Sequence, residues 1–264
     1  MISNLDLPQH SRFIDLETLQ QIANFQERKD LKFLLPASSL GELWGSLLPN
    51  YRVLGNPSLH WFPYKTTYFD TPQWDCYLQH HQGKGNRFKI RIREYLHSGN
   101  SYLEIKSRDI HGITSKHREI LIEGSENRWL LNYSRGWTWE QFHPVLSIHV
   151  KRQTWVKDDG SERITIDSDM RFQSATTATK TAEKEPWIEH LNYPNWVIVE
   201  IKSMKHRSEL TRKLLELGGR PDSLSKYCWA VSALNLHSKK NLFLPHLKYI
   251  SNHNVTHELA DFQS

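Results

Sequence analysis

The chain has 264 residues and a formal net charge of +5 with histidine neutral, too small a surplus to bind nucleic acid or a membrane surface through bulk charge. Hydrophobic residues make up 38% and aromatics 11%, which excludes disorder over most of the length. The two cysteines, Cys76 and Cys228, form neither a disulfide framework nor a zinc pattern, and no apolar run approaches the roughly 20 residues of a membrane-spanning helix. The N-terminal segment lacks the basic-then-apolar order of a secretory signal, so a soluble, cytoplasmic chain is expected.

In chain order, Leu16, Leu19, Ile22, Ala23 and Phe25 fall near helical spacing and predict a helix over 15–27. A short alternating segment follows at 29–35 and ends at Pro36. Ser38 is the expected cap of a second helix, with Leu40, Leu43, Trp44, Leu47 and Leu48 on one side and Pro49 as the stop. From about residue 51 the period changes to two. Strands are predicted at 65–70, 87–95, 101–106, 115–122, 145–155 and 162–169. Turn-rich stretches at 82–86, 97–101, 109–112 and 158–160 separate them, which makes neighbours antiparallel. Residues 176–185 read as a polar surface excursion and 196–202 as a further strand. Helices are predicted at 207–217, stopped by Gly218-Gly219, and at 222–236. The pattern is α+β, built on an antiparallel sheet or barrel with flanking helices.

The charge is concentrated. Residues 83–118 hold nine basic and three acidic residues, a net +6, which leaves the rest of the chain at −1. Residues two apart share a strand face. Arg87, Lys89, Arg91 and Arg93 therefore lie on one face, with Phe88, Ile90 and Ile92 on the other. Tyr102, Glu104 and Lys106 share a face opposite Leu103 and Ile105, and Lys116 shares one with Arg118. Arg163, Thr165 and Asp167 oppose Ile164 and Ile166, and Glu200 and Lys202 oppose Val197, Val199 and Ile201. An ordinary half-exposed sheet also puts charge outward. Four like charges along one strand, with more positives on its neighbours, instead suit a polyanion, and the sparse carboxylates suit a divalent cation.

Other candidates read as structural. His80-His81 face opposite ways in a strand, and the remaining histidines are scattered. The ten tryptophans read as packing residues, Asp158-Asp159-Gly160 as a hairpin turn, and Cys228 as core. Gly83-Lys84-Gly85 has neither the length nor the following Ser or Thr of a phosphate-binding P-loop.

An ordered set of motifs resembles the VTC domain, the polyphosphate polymerase domain of the vacuolar transporter chaperone type, within the triphosphate tunnel (CYTH-like) superfamily. The matching segments are Arg28 to Phe33, Thr67-Tyr68-Phe69-Asp70-Thr71, Asn86 to Arg93, Tyr102 to Lys106, Lys116-His117-Arg118, Val150-Lys151-Arg152, Ile198 to Lys202, and Ser225-Lys226-Tyr227. The resemblance implies a closed, eight-stranded antiparallel β-barrel, the triphosphate tunnel fold. It implies a lead-in over 1–27, the tunnel domain over 28–236, and a polar tail over 237–264. Phosphate-binding residues implied by the match are Lys32, Lys89, Arg91, Arg93, Lys106, Lys116, Arg118, Arg152, Lys202, Ser225 and Lys226, with Arg91, Arg93 and Lys226 catalytic. Glu200 would hold Mn²⁺ or Mg²⁺, with Glu104 a second candidate. The implied reaction transfers the ATP γ-phosphate to a growing inorganic polyphosphate chain. The first strand departs from the family in having Asp30 where Glu is usual, and from the related hydrolases in having Arg at position 28. Fewer metal-binding acids favour a polymerase over a triphosphate hydrolase or cyclase. A non-enzymatic polyphosphate binder is the other reading. Nucleic acid is not expected as a partner: Phe88 and Tyr95 could stack bases, but Phe88 lies on the opposite face from the arginines, which argues against a shared base-binding face. Residues 28–236 show no regulatory SPX-like domain before them and no transmembrane helices after them, so export of a product is expected to need a separate membrane partner.

Overall fold

The computed structural model describes residues 7–22, 29–122, 124, 126–133, 136–175, 187–203, 208–221 and 225–254. The strands are β1 (Phe13–Ile14), β2 (Lys29–Pro36), β3 (Tyr51–Leu54), β4 (Phe62–Asp70), β5 (Arg87–Tyr95), β6 (Asn100–Arg108), β7 (Thr114–Ile120), β8 (His143–Lys157), β9 (Glu162–Ala175), β10 (Trp187–Tyr193), β11 (Trp196–Ser203) and β12 (Arg220–Pro221). The α-helices are α1 (Leu16–Ile22), α2 (Leu40–Leu47), α3 (Asp75–His81), α4 (Glu126–Tyr133), α5 (Glu209–Glu216), α6 (Lys226–Ala233) and α7 (Leu244–Asn254). Pairing is antiparallel except between β1 and β3 among the registers described. The architecture is α+β, as the change of period predicts.

Two compact units divide the chain. The first comprises residues 1–64, 150–170 and 192–223, and the second 65–149, 171–191 and 224–264. In the first unit the strand order is β12-β2-β11-β9. Glu200 pairs with Lys32 on one side and Thr165 on the other, and Lys202 with Asp30 and Arg163. The alternate residues Phe33, Leu35, Ile164, Ile166, Val197, Val199 and Ile201 are buried against Leu40, Leu43, Trp44 and Leu47 of α2 and Leu210 and Leu214 of α5. Each such side chain contributes about 1.5–3 kcal/mol on leaving water, so the alternation fixes which face carries the polar residues. A one-residue slip would expose the entire apolar set.

In the second unit the order is β4-β5-β6-β7. Ile90, Leu103 and Ile105 are buried. Phe88 meets Trp137 and Phe142 at ring centroid distances of 6.1 Å, and His117 stacks on Tyr133 of α4 at 3.9 Å. The helix α6 is buried from Tyr227 to Ser232. It contacts α3, which itself contacts β5.

Several expectations need correction. The antiparallel α+β sheet forms as expected; it differs from the eight-stranded expectation in having twelve strands among the described residues, in an order that is open rather than closed within each unit. The first unit ends at β12, where Pro221 lacks the N–H that a further ladder bond requires. The second ends at β7, whose exposed face and Lys116, Arg118 and Glu119 oppose the addition of another strand. Ser38 does not cap α2. It lies within a 3₁₀ turn, Ala37–Ser39, whose Ala37 carbonyl accepts from the Leu40 N–H, and Ser39 takes the cap position without a side-chain bond. The tail is not simply polar, since α7 and the preceding turn bury Phe243 and Ile250. The helix α3 and strands β3 and β10 had no clear signal. Residues 23–27 of the first predicted helix, 176–185, and 222–224 of the last predicted helix lie outside the described residues.

Candidate functional site

The polar face of the second unit is built in rows. The β5–β6 and β6–β7 registers set Lys89 opposite Lys106 and Lys106 opposite Lys116. The next row is Arg91, Glu104 and Arg118, and the one after it Arg93, Tyr102 and Ile120. Arg87 and Arg108 form a row at the other end. Rows repeat every two residues, about 6.8 Å along the strands. The like charges recognised by parity are therefore neighbours across strands as well as along them.

One carboxylate organises these cations. Glu104 is 1% exposed. Its Oε2 accepts from Arg91 Nε at 2.7 Å and lies 2.6 Å from Arg91 Nη2. Its Oε1 lies 2.8 Å from Lys116 Nζ, while Arg93 and Arg118 stand 3.9 and 4.0 Å away. Burial alone would raise the Glu104 pKa, but Arg91, Arg93 and Lys116 together hold it well below the usual carboxylate range. Four cations thus converge on one carboxylate, which makes this part of the face rich in positive charge. Burial pushes the Lys116 ammonium down to about 8, against the pull of Glu104. Lys89, also pushed down to about 8 by burial, has its Nζ 3.1 Å from His80 Nε2 on α3. Burial and the surrounding cations hold the His80 imidazole neutral, with a pKa of about 3.

The arginines are anchored from β4 and α6. Arg91 Nη1 donates to the Tyr68 hydroxyl at 3.2 Å, and Arg93 Nε lies 3.4 Å from Thr66 Oγ1. Tyr68 stacks on Tyr227 with centroids 5.0 Å apart, and the Tyr227 hydroxyl donates to Asp70 at 2.5 Å. Asp70 is fully buried and also accepts from the backbone N–H groups of Thr71, Cys76 and Tyr77. This carboxylate thus fixes the start of α3 and the first turn of α6 to the end of β4. It positions Ser225 and Lys226, the N-cap and first residue of α6. Tyr68, Asp70, Tyr227 and His80 were not predicted as site residues. Tyr68, Asp70 and Tyr227 lie inside quoted motifs, and only the folded hydrogen bonds reveal their positioning role.

The first unit presents a different polar face. Arg152 donates to Asp167 through Nε at 2.6 Å and Nη2 at 2.8 Å, a two-pronged pair, and its guanidinium lies 5.5 Å from the Tyr64 ring. Lys202 Nζ lies 3.4 Å from Glu200 Oε1 and 3.9 Å from Asp30 Oδ2. Lys32 is half-buried in register with Glu200. Lys32, Arg152, Glu200 and Lys202 therefore belong to this unit. Lys89, Arg91, Arg93, Glu104, Lys106, Lys116, Arg118, Ser225 and Lys226 belong to the second.

The VTC domain model matches residues 27–132 and 130–235, most of the chain. The chain belongs to the VTC domain family. The match spans every sequence-predicted site residue named above. Among curated proteins, none matches significantly. Solved structures with a similar course include one from Hippeastrum described as a candidate adenylyl cyclase with dominant triphosphatase activity. It is 16% identical, covers 78% of this chain and 96% of its own, and has a TM-score of 0.49. Another, described as a candidate adenylate cyclase from Vibrio parahaemolyticus, is 10% identical over 76% of this chain and 97% of its own, at a TM-score of 0.43. A conserved hypothetical protein from Pyrococcus furiosus is 10% identical over 75% of this chain and 98% of its own, at 0.39.

Proposed function

We propose that this VTC domain is a metal-dependent polyphosphate polymerase that transfers the ATP γ-phosphate to a growing inorganic polyphosphate chain. The observation that carries the reading is the second unit's cationic rows, in which Arg91, Arg93, Lys116 and Arg118 converge on the buried carboxylate of Glu104. Such a surplus is stabilised by an external anion with closely spaced charges. A phosphate chain can cross successive rows in a way that a single carboxylate ligand cannot.

Phosphoryl transfer asks little covalent chemistry of a protein. It asks for aligned phosphates and neutralised charge. The bond between the β–γ bridging oxygen and the γ-phosphorus breaks, and a terminal oxygen of the acceptor chain bonds to that phosphorus. ADP leaves with the bridging oxygen. Arg91 and Arg93, aimed by Glu104, Tyr68 and Thr66, hold the transferred group and its neighbours. Lys89, Lys106, Lys116 and Arg118 grip flanking phosphates. Lys226 and Ser225, at the start of α6, occupy positions that the family motif assigns to phosphate. In the first unit, Lys32, Arg152 and Lys202 occupy further positions that the family motif assigns to phosphate.

For the divalent cation the donor set fits through Glu200. Glu200 is a hard oxygen ligand on the polar face of β11, with Lys202 3.4 Å away. Glu104 has its oxygens committed to arginine and lysine and acts instead as the internal counter-ion. Among the described residues no group of three or more His, Cys, Asp or Glu could form an all-protein cage. A site of one carboxylate completed by substrate oxygens is the arrangement Mg²⁺ commonly accepts. When bound, Mn²⁺ or Mg²⁺ would supply neutralisation of phosphate charge. The scarcity of acids counts against hydrolysis of tripolyphosphate or a nucleoside triphosphate, which is therefore the second reading.

Incubation of the purified chain with ATP and Mn²⁺ tests the assignment. The expected products are ADP and a ladder of polyphosphate. Orthophosphate without chain growth would identify a hydrolase, and binding of polyphosphate without turnover would identify a non-enzymatic binder.

A further inference from the structure

Tyr95, Tyr102 and Ile120 break the pattern of the second unit. By register and parity they lie on its charged face, at the end of the cationic rows, where an ordinary sheet would continue with polar residues. The Tyr95 and Tyr102 rings meet edge to face with centroids 5.4 Å apart and are only partly buried. Ile120, beside Tyr102 in register, is 60% exposed. The Arg118 guanidinium carbon lies 3.5 Å from the Tyr102 ring centroid and 5.2 Å from that of Tyr95. An apolar, aromatic patch of this kind is not needed to hold inorganic phosphate.

We infer that Tyr95, Tyr102 and Arg118 form a stacking platform for the base of a nucleoside triphosphate, whose phosphates run from it onto the Arg93 and Arg91 rows. The inference rests on the phosphate-transfer reading and deepens it by placing the donor's base end. The platform has what a base needs: aromatic rings and a guanidinium plane offering π surface, with a half-exposed aliphatic edge at Ile120. Arg118 belongs to both parts, since it lies over Tyr102 and also stands 4.0 Å from Glu104 among the phosphate-binding cations. Arg93 shares the Tyr102 row, and Arg91 lies one row further, about 6.8 Å away. The order base, then cations, matches the order of a nucleotide. Rings and a guanidinium plane read the π face of a base rather than its edge, so the platform should accept adenine and guanine alike. Phe88 contributes nothing to it, because it packs against Trp137 and Phe142 on the opposite face.

The test titrates ATP, GTP and inorganic tripolyphosphate into the full chain by calorimetry, for the unaltered protein and for Tyr95→Leu, Tyr102→Leu and Tyr102→Phe. Each leucine variant is expected to weaken ATP and GTP by about tenfold, the usual effect of losing one stacked base contact, while tripolyphosphate binding stays within about twofold. Tyr102→Phe keeps the ring and should retain nucleotide affinity. Equal weakening of ATP and tripolyphosphate would mark the tyrosines as structural and overturn the proposal, as would no change for either ligand. If the unaltered protein binds tripolyphosphate but not ATP, the platform is refuted and the phosphate site stands. If it binds neither, the phosphate-transfer reading falls as well.

Discussion

The two units carry similar strand faces but balance their charge differently. In the first, Arg152 is matched by both oxygens of Asp167, and Lys202 lies close to Glu200 and Asp30. In the second, one carboxylate, Glu104, lies within 4.0 Å of Arg91, Arg93, Lys116 and Arg118. The alternation of apolar and charged residues is the same in both, so alternation does not separate them. What separates them is how many cations converge on one acid: Arg152 pairs with Asp167 through two bonds, whereas four cations gather around Glu104. A matched pair sets geometry, whereas an under-neutralised cluster holds a binding capacity for an anion.

The largest expected effect is on Glu104→Gln. It removes the one negative charge from a buried cluster of cations, so unfolding free energy should fall by about 3–5 kcal/mol. Added polyphosphate should recover more stability in this variant than in the unaltered chain, which thermal melts with and without ligand would reveal. Equal recovery in both would show that the cluster does not receive the anion. Next in size, Arg91→Ala or Arg93→Ala should reduce polymer formation by about 2–4 kcal/mol of transition-state stabilisation, read as kcat/KM for ATP. Glu200→Gln sharpens the contrast from the other side. It should abolish dependence of activity on Mn²⁺ concentration while leaving polyphosphate binding in chelator unchanged.

The smallest effect is in pH. Lys89 and Lys116 have pKa values pushed down to about 8 in the free chain. A bound polyanion favours their charged forms and so raises both. Affinity for polyphosphate should therefore be greatest below pH 8 and fall several-fold per lysine by pH 9, with protons taken up on binding. Calorimetry in buffers of different ionisation enthalpy measures that uptake. An affinity independent of pH from 7 to 9 would exclude both lysines from the contact.

Much of this was legible because period-two patterning and register coincide. Arg87 to Tyr95 is a strand with the predicted bounds, and the Arg91–Glu104–Arg118 row follows from pairing strands whose parity was already readable. The role of Glu104 was less legible. An acid in a Glu-Ile-Lys triplet reads as a metal ligand until the fold brings four cations to it. Asp70 was quoted only as part of a motif, since its partners Cys76, Tyr77 and Tyr227 are joined by tertiary contact rather than spacing. The open strand order was missed for a related reason. Closure depends on edges, and nothing in the alternation foretells that Pro221 ends one ladder or that β7 remains an edge.

The most direct test of the charge-surplus reading is a calorimetric titration of long-chain polyphosphate, without nucleotide or metal, into the unaltered chain, Arg91→Ala and Arg93→Ala. Tight binding to the unaltered chain that weakens at least tenfold in each variant is the predicted result. Polyphosphate binding that is absent from the unaltered chain, or unchanged by either substitution, would contradict it.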